Sequence, residues 1–338
     1  MYWQHKAFAI NILNRIPFGR RGYLLAQKLL GTTRVNPRRD LQRAAELIEM
    51  IREAGQTIEG SECYEIGTGW HPFTPLAFYL AGARRIVSVD VNPWLSLNSA
   101  LQTIHSVDPH LEWFTQICQL DRARVFERYQ RLVATPKADS LRELLGRFHC
   151  EYIYPGDARH TGLPDRSMDF VISSNVLEHI PPTILRDIAA EGCRILKPGG
   201  LFVHRFNPGD HYANDDPSIG TGNFLQFSEL EWKSYGAGLA YHNRLRCSQF
   251  SELFAKVGLI PLIEKQRVDP TVLEALRNGT LQPHGDFADL SPEDLAADYM
   301  WYAGLQPHGT PQPLPTSPQD TDIPSAVDEP ARSVSICG

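Results

Sequence analysis

Short apolar runs alternate with helix-periodic stretches along residues 59–267. SECYEIG (61–67), RRIVSVDV (84–91), CEYIYPGD (150–157), MDFVISSN (168–175) and LFVHRFN (201–207) have the length of strands and are largely apolar on both faces. Between them, PLAFYLAGA (75–83), LSLNSALQTIH (95–105) and ILRDIAAEGCRILKPGG (184–200) carry helical spacing. Such alternation predicts a parallel sheet covered by helices. Ahead of it, Arg38–Gly55 places Leu41, Ala44, Ala45, Ile48 and Ile51 on one helical face, with Gly55 as a stop. Two stretches break the rhythm. Residues 105–150 read as largely helical, with RVFERYQRLV (124–133) and SLRELLGRF (140–148), and residues 207–245 read as irregular. Insertions of this kind gather over the carboxyl edge of a sheet, so both are expected to cap a substrate site.

Composition adds boundaries. Nine basic residues stand against the single acid Asp40 up to position 43, interleaved with Tyr2, Trp3, Phe8, Phe18 and Tyr23. A membrane-surface role fits that segment, but a helical lid over 1–58 is the preferred reading. The main domain is expected over 59–267, a helical extension over 268–302, and a disordered Pro-rich tail over 303–338, where seven prolines sit among Gln, Thr, Ser and Asp. A net charge of −6 does not suit a polyanion partner, so no nucleic acid is expected. The six cysteines form no CxxC pair, no run approaches a membrane span, and no signal peptide is visible, which points to the cytoplasm. The oligomeric state is left open, a homodimer being one reading.

The chemistry begins at Glu65-Ile66-Gly67-Thr68-Gly69. Glycines at a strand-to-helix turn let backbone approach a ligand and leave amides pointing at it. A dinucleotide fingerprint needs a third glycine where Pro72 stands, and Glu65 suits an ammonium or sulfonium better than a pyrophosphate. Asp90 follows Gly69 by 21 residues (90 − 69), the spacing at which an acid after the second strand reaches ribose hydroxyls. Asp157 closes the third strand, where a carboxylate can accept from an adenine amino group, and Ser174 and Asn175 end the fourth.

As a set, EIGTG, VSVDVN, GDARH, MDFVISSNVLEH and LKPGG resemble the class I S-adenosylmethionine-dependent methyltransferases over residues 60–205, with Trp70-His71-Pro72 as a departure after the glycines. That resemblance implies a doubly wound, mostly parallel, seven-stranded Rossmann-like sheet and S-adenosylmethionine as cofactor, leaving S-adenosylhomocysteine. It also implies that Glu65 and Gly67 hold the methionine part, Asp90 the ribose hydroxyls, and Asp157 with Ala158 the adenine, with Thr68, Gly69 and Val91 also against the cofactor. The backbone at Ser174 and Asn175 would close the slot. His179 stands where the family often has a pocket-lining histidine.

His204 near the carboxyl end of the fifth strand, and Asp210 and His211 in the loop beyond it, are candidates for general-base chemistry on a hydroxyl acceptor. Arg205 and Arg244 are candidates for binding the acceptor, although Arg244 and Arg246 fit equally well as ties to Asp215, Asp216 or Glu229. A metal triad of Asp210, His211 and Asp215 is weighed and not adopted, so no metal is expected. The function expected is methylation of a polar small molecule, at a hydroxyl oxygen by preference. A small-molecule amine, or a non-catalytic protein that kept the fold, are the alternatives.

Overall fold

The computed structural model describes residues 2–16, 35–134, 137–236, 238 and 241–308. The basic residues and aromatics expected of the lid between 17 and 34, and the tail from 309 on, lie outside the described residues. Seven strands form one sheet: β1 (Glu62–Ile66), β2 (Arg85–Val89), β3 (Cys150–Ile153), β4 (Met168–Ser174), β5 (Leu196–Phe206), β6 (Ile260–Val268) and β7 (Ala297–Leu305), in the order 3-2-1-4-5-7-6. The neighbours from β3 to β5 pair in parallel, and β7 runs antiparallel to both β5 and β6. The strand order reverses between β1 and β4. In open α/β sheets such a switch opens a crevice beyond the carboxyl ends.

Local signals explain the helices. In α1 (Trp3–Arg15) and α2 (Pro37–Glu53), only α2 has a side-chain cap, with Asn36 Oδ1 accepting from the Arg39 amide and Pro37 at the first turn. α3 (Phe73–Ala81) stops at Gly82, whose φ of 107° is open to glycine. α4 (Leu97–Ser106) starts from a Ser96–Ser99 capping box. α5 (Leu111–Ile117), α6 (Arg122–Ala134) and α7 (Leu141–Gly146) fill the first insertion. α8 (Pro182–Ile195) runs into β5, and α9 (Glu229–Trp232), α10 (Cys247–Lys256), α11 (Pro270–Arg277) and α12 (Pro292–Leu295) complete the chain.

Alternation along the strands divides the core in two. Cys63, Ile86, Phe170, Ile172, Leu201 and Val203 face α2–α7, whereas Tyr64, Val87, Val171 and Phe202 face α8 and α10. A third cluster joins α1 to the second insertion, where the Trp3 ring lies 4.8 Å from that of Tyr235 and 5.9 Å from that of Trp232.

Two expectations about the layout are corrected. The first insertion packs its apolar faces into the α2–α3 core, because Val125, Tyr129, Leu132, Leu144 and Leu145 need burial, and it does not cover the crevice. The stretch 268–302 is not wholly helical. It ends in β7, which runs to Leu305 inside the sheet, so residues 303–305 do not belong to a disordered tail.

β7 is tied to the rest by a polar seam. Glu46 of α2 accepts from Arg205 Nε (2.7 Å) and from Trp301 Nε1 (2.7 Å), and the Arg205 side chain is only 6% exposed. Removing the acceptor leaves a desolvated guanidinium without its counter-charge. We expect Glu46→Ala to cost on the order of 2–3 kcal/mol in urea unfolding. Glu46→Gln, which keeps an acceptor oxygen, should cost visibly less.

Candidate functional site

A cavity of ≈ 1060 Å³ opens at the carboxyl edge of the sheet, over the switch between β1 and β4. Its volume is at the upper end of small-molecule sites, enough for a nucleoside-sized donor beside a second molecule. Glu65, Gly67, Thr68, Gly69, Asp90, Val91, Asp157, Ala158, Ser174 and Asn175 all line it.

The turn after β1 is built for close approach. Gly67 has φ 76°, and a Cβ there would stand 2.6 Å from Val176 Cγ2. Gly69 has φ 69°, and its amide donates to Asp90 Oδ2 (3.0 Å), while Asp90 Oδ1 accepts from the Asn92 amide (2.9 Å). Asp90, just past β2, thus braces the turn after β1 from the neighbouring strand. Glu65 is buried at 3% exposure, and burial pushes its carboxyl up to about 7 against the hydroxyls of Ser88, Thr74 and Thr68. Asp157 sits differently. Arg159 grips it through Nε and Nη2 (3.0 and 2.8 Å), which holds its carboxyl below the usual range. At the end of β4, Asn175 takes φ 57°, a region asparagine tolerates, with its side chain bonded to Arg205 and to Tyr299.

Among the acceptor-side candidates, His179 lines the cavity. The others do not, and each absence has a physical reason. His204 continues the 202–204–206 face of β5 away from the crevice, fully buried 2.7 Å from Ser173 Oγ and against Phe202. Burial lowers it to about 3. Arg205, on the opposite face, spends its donors on Glu46, Ser174 and Asn175 and stacks over Tyr299. Asp210 accepts from the Tyr212 amide (2.8 Å) and Asn223 Nδ2 (2.9 Å), closing its own loop, with burial raising it to about 6. Arg244 binds the carbonyl of Phe227 (2.6 Å) and the carboxylate of Glu229 (2.8 Å), one of the ties weighed above. His211 stands behind His179, ring centroids 5.0 Å apart, and lies 4.2 Å from the ring of His242. Asp215 pairs with Lys6, so the triad of Asp210, His211 and Asp215 does not assemble. No described residue of 207–245 lines the cavity; the second insertion reaches it only through the histidines packed behind His179.

Several cavity residues escaped the sequence reading. Arg39, Asp40 and Arg43 enter from the first two turns of α2, so that helix contributes to the wall while its apolar face joins the core. Trp70 and Trp94 meet at 4.5 Å between ring centroids and line the cavity without filling it. Ile180, Ile184 and Ile188 form an apolar wall. The i, i+1, i+4 spacing of Arg39, Asp40 and Arg43 was a visible signal; the Trp pair was not, since its partners lie on separate turns.

Residues 111–204 match the family described as "Methyltransferase domain". The chain is similar in structure to a candidate sarcosine dimethylglycine methyltransferase of Galdieria sulphuraria (14% identity, 79% of this chain and 86% of the other, TM-score 0.44). It is also similar to an S-adenosylmethionine-dependent methyltransferase of Mesorhizobium loti (14%, 76% and 96%, 0.40). A third is phosphoethanolamine N-methyltransferase 2 of Haemonchus contortus, in complex with S-adenosylmethionine (15%, 77% and 52%, 0.41). No curated protein matches the sequence. The matched stretch runs from α5 into β5, so this part of the chain is similar to a methyltransferase domain. S-adenosylmethionine is the cofactor that the resemblance in the sequence implies for such a domain.

The residues of the cavity fit that cofactor: a buried carboxylate for a cation, a glycine turn that no Cβ could share, and a braced acid for a diol. A cationic ligand favours ionised Glu65. Below about 7 the carboxyl has to release its proton before binding, so affinity should rise with pH through that value. Isothermal titration with S-adenosylhomocysteine, whose ammonium persists there, should show tighter binding at pH 7.5 than at pH 6, and Glu65→Gln should flatten the profile.

Proposed function

We propose that the protein methylates a hydroxyl oxygen of a polar small molecule, such as a sugar conjugate or natural product, at the end of the cavity walled by His179. The observation that carries this reading is the cavity itself, which has the ten donor-side residues on its walls and also reaches an imidazole. When bound, S-adenosylmethionine supplies an electrophilic methyl on a sulfonium. Glu65 would face its positive charge, the amides of Gly67 to Gly69 its methionine part, Asp90 and Val91 its ribose, Asp157 and Ala158 its adenine. Ser174 and Asn175 would close the slot.

The chain's own contribution is alignment, worth up to roughly 7–11 kcal/mol in a well-oriented displacement. Histidine assistance to the acceptor's proton moves from His204, His211 and Asp210 to the wall formed by His179, with His211 behind it. Arg39 and Arg43 share Asp40 at 3.3 and 3.2 Å, which leaves positive charge to meet a polar acceptor. Five described cysteines are buried and unpaired, which suits a reducing compartment such as the cytoplasm. Among the described residues no helix is long and apolar enough to cross a membrane.

Asp90→Ala should weaken S-adenosylhomocysteine binding about tenfold or more, because it removes charge-assisted bonds to the diol and the brace on Gly69 together. His179→Ala should leave that affinity within about twofold but slow methylation of a hydroxyl acceptor about 10²-fold or more. Full turnover in the His179 variant would remove the acceptor end from this wall.

A further inference from the structure

The wall at His179 contains polar atoms that methyl transfer, as described above, leaves without a task. Glu178 is fully buried. Its Oε1 accepts from the Asn207 amide (3.2 Å), whereas its Oε2 has no hydrogen-bond partner. Nε2 of His211 is also buried without a partner. An unpaired buried carboxylate oxygen is costly, and such atoms in native proteins ask for a ligand. One potential ligand atom each from Glu178, His179 and His211 lies within 4.8 Å of the other two. The carbonyl of Tyr241 stands 3.2 Å from His179 Nδ1, a backbone contact of the kind that orients metal-binding imidazoles, and the Asn207 amide does the same for Glu178.

We propose that Glu178, His179 and His211 bind a divalent transition-metal cation. Two imidazoles and one carboxylate favour zinc, manganese, iron(II) or cobalt over magnesium or calcium, which prefer all-oxygen sites. Three protein ligands leave coordination positions open, and His179 puts the ion at the cavity wall. The cation's role rests on the methyl-transfer reading, but its binding does not. In that role an acceptor hydroxyl bound to the cation gives its proton to water. The oxygen's electron pair forms the new C–O bond as the S–C bond breaks, with that bond's pair remaining on sulfur.

The test uses the full chain stripped with EDTA and titrated with Co²⁺ followed by visible absorption, with Zn²⁺ stoichiometry read by elemental analysis after desalting. One equivalent per chain is expected, displaced by Zn²⁺. Glu178→Gln, His211→Ala and the exposed-site variant His179→Ala should each weaken binding about tenfold or more. The surface variant His105→Ala should bind as the parent does. S-adenosylhomocysteine titration of the same samples shows whether each variant is folded. Sub-stoichiometric metal in a parent that binds S-adenosylhomocysteine overturns the cation site and leaves the methyl-transfer reading standing, as does unchanged affinity in His179→Ala. Stoichiometric metal without S-adenosylhomocysteine binding would do the reverse.

Discussion

The turn after β1 passes so close to the segment after β4 that a methyl group on residue 67 would press into Val176. Only glycine meets both demands there, the absence of a side chain and a positive φ. From that contact the rest of the donor end follows. The turn swings back so that the Gly69 amide meets Asp90, and the two adjacent strand ends each bring a carboxylate, Glu65 and Asp90, to the cavity wall. Glu65, at the end of β1, is itself shut off from water, which is why its carboxyl holds its proton so tightly.

A second constraint is the period of two along β5. Val203 and Arg205 look toward α2, Phe202 and His204 toward α10. One strand thereby supplies a guanidinium that braces Asn175 and an imidazole sealed in the opposite core. Neither touches the cavity, yet Arg205 sets the conformation of the residue that does.

The strands up to β5 and the helices between them were legible from periodicity, and α2 also from its stop at Gly55; the caps at Asn36 and Ser96 and the left-handed Gly82 became visible only in the structure. The last two strands were not. β6 is an edge strand with only Ile263 fully buried, so its pattern is polar, and β7 mixes aromatics with alanine and glycine in a way that suits several structures. At the site, the ten positions expected to hold the cofactor reach the cavity because they lie at or just past strand ends, whose place at the carboxyl edge is dictated by the sheet. The acceptor side was misread because residues in an irregular loop have no such register. His211 and Asp210 are neighbours in sequence, but one packs on His179 and the other closes a turn with Asn223. Glu178 and His242, which complete that region, differ from ordinary buried residues only once their neighbours from distant loops are known.

The position of β7 has a consequence for how the molecule is made. It lies between β5 and β6 although it follows both in the chain. While the protein emerges from the ribosome, every strand through β6 is available before the one that separates that pair. Until residue 305 is free, β5 offers a bare hydrogen-bonding edge and Trp301 is missing from the seam around Glu46. Between the emergence of β6 and that of β7 the nascent chain therefore carries an open sheet, the stage at which a chaperone or a neighbouring copy would find a template to pair with.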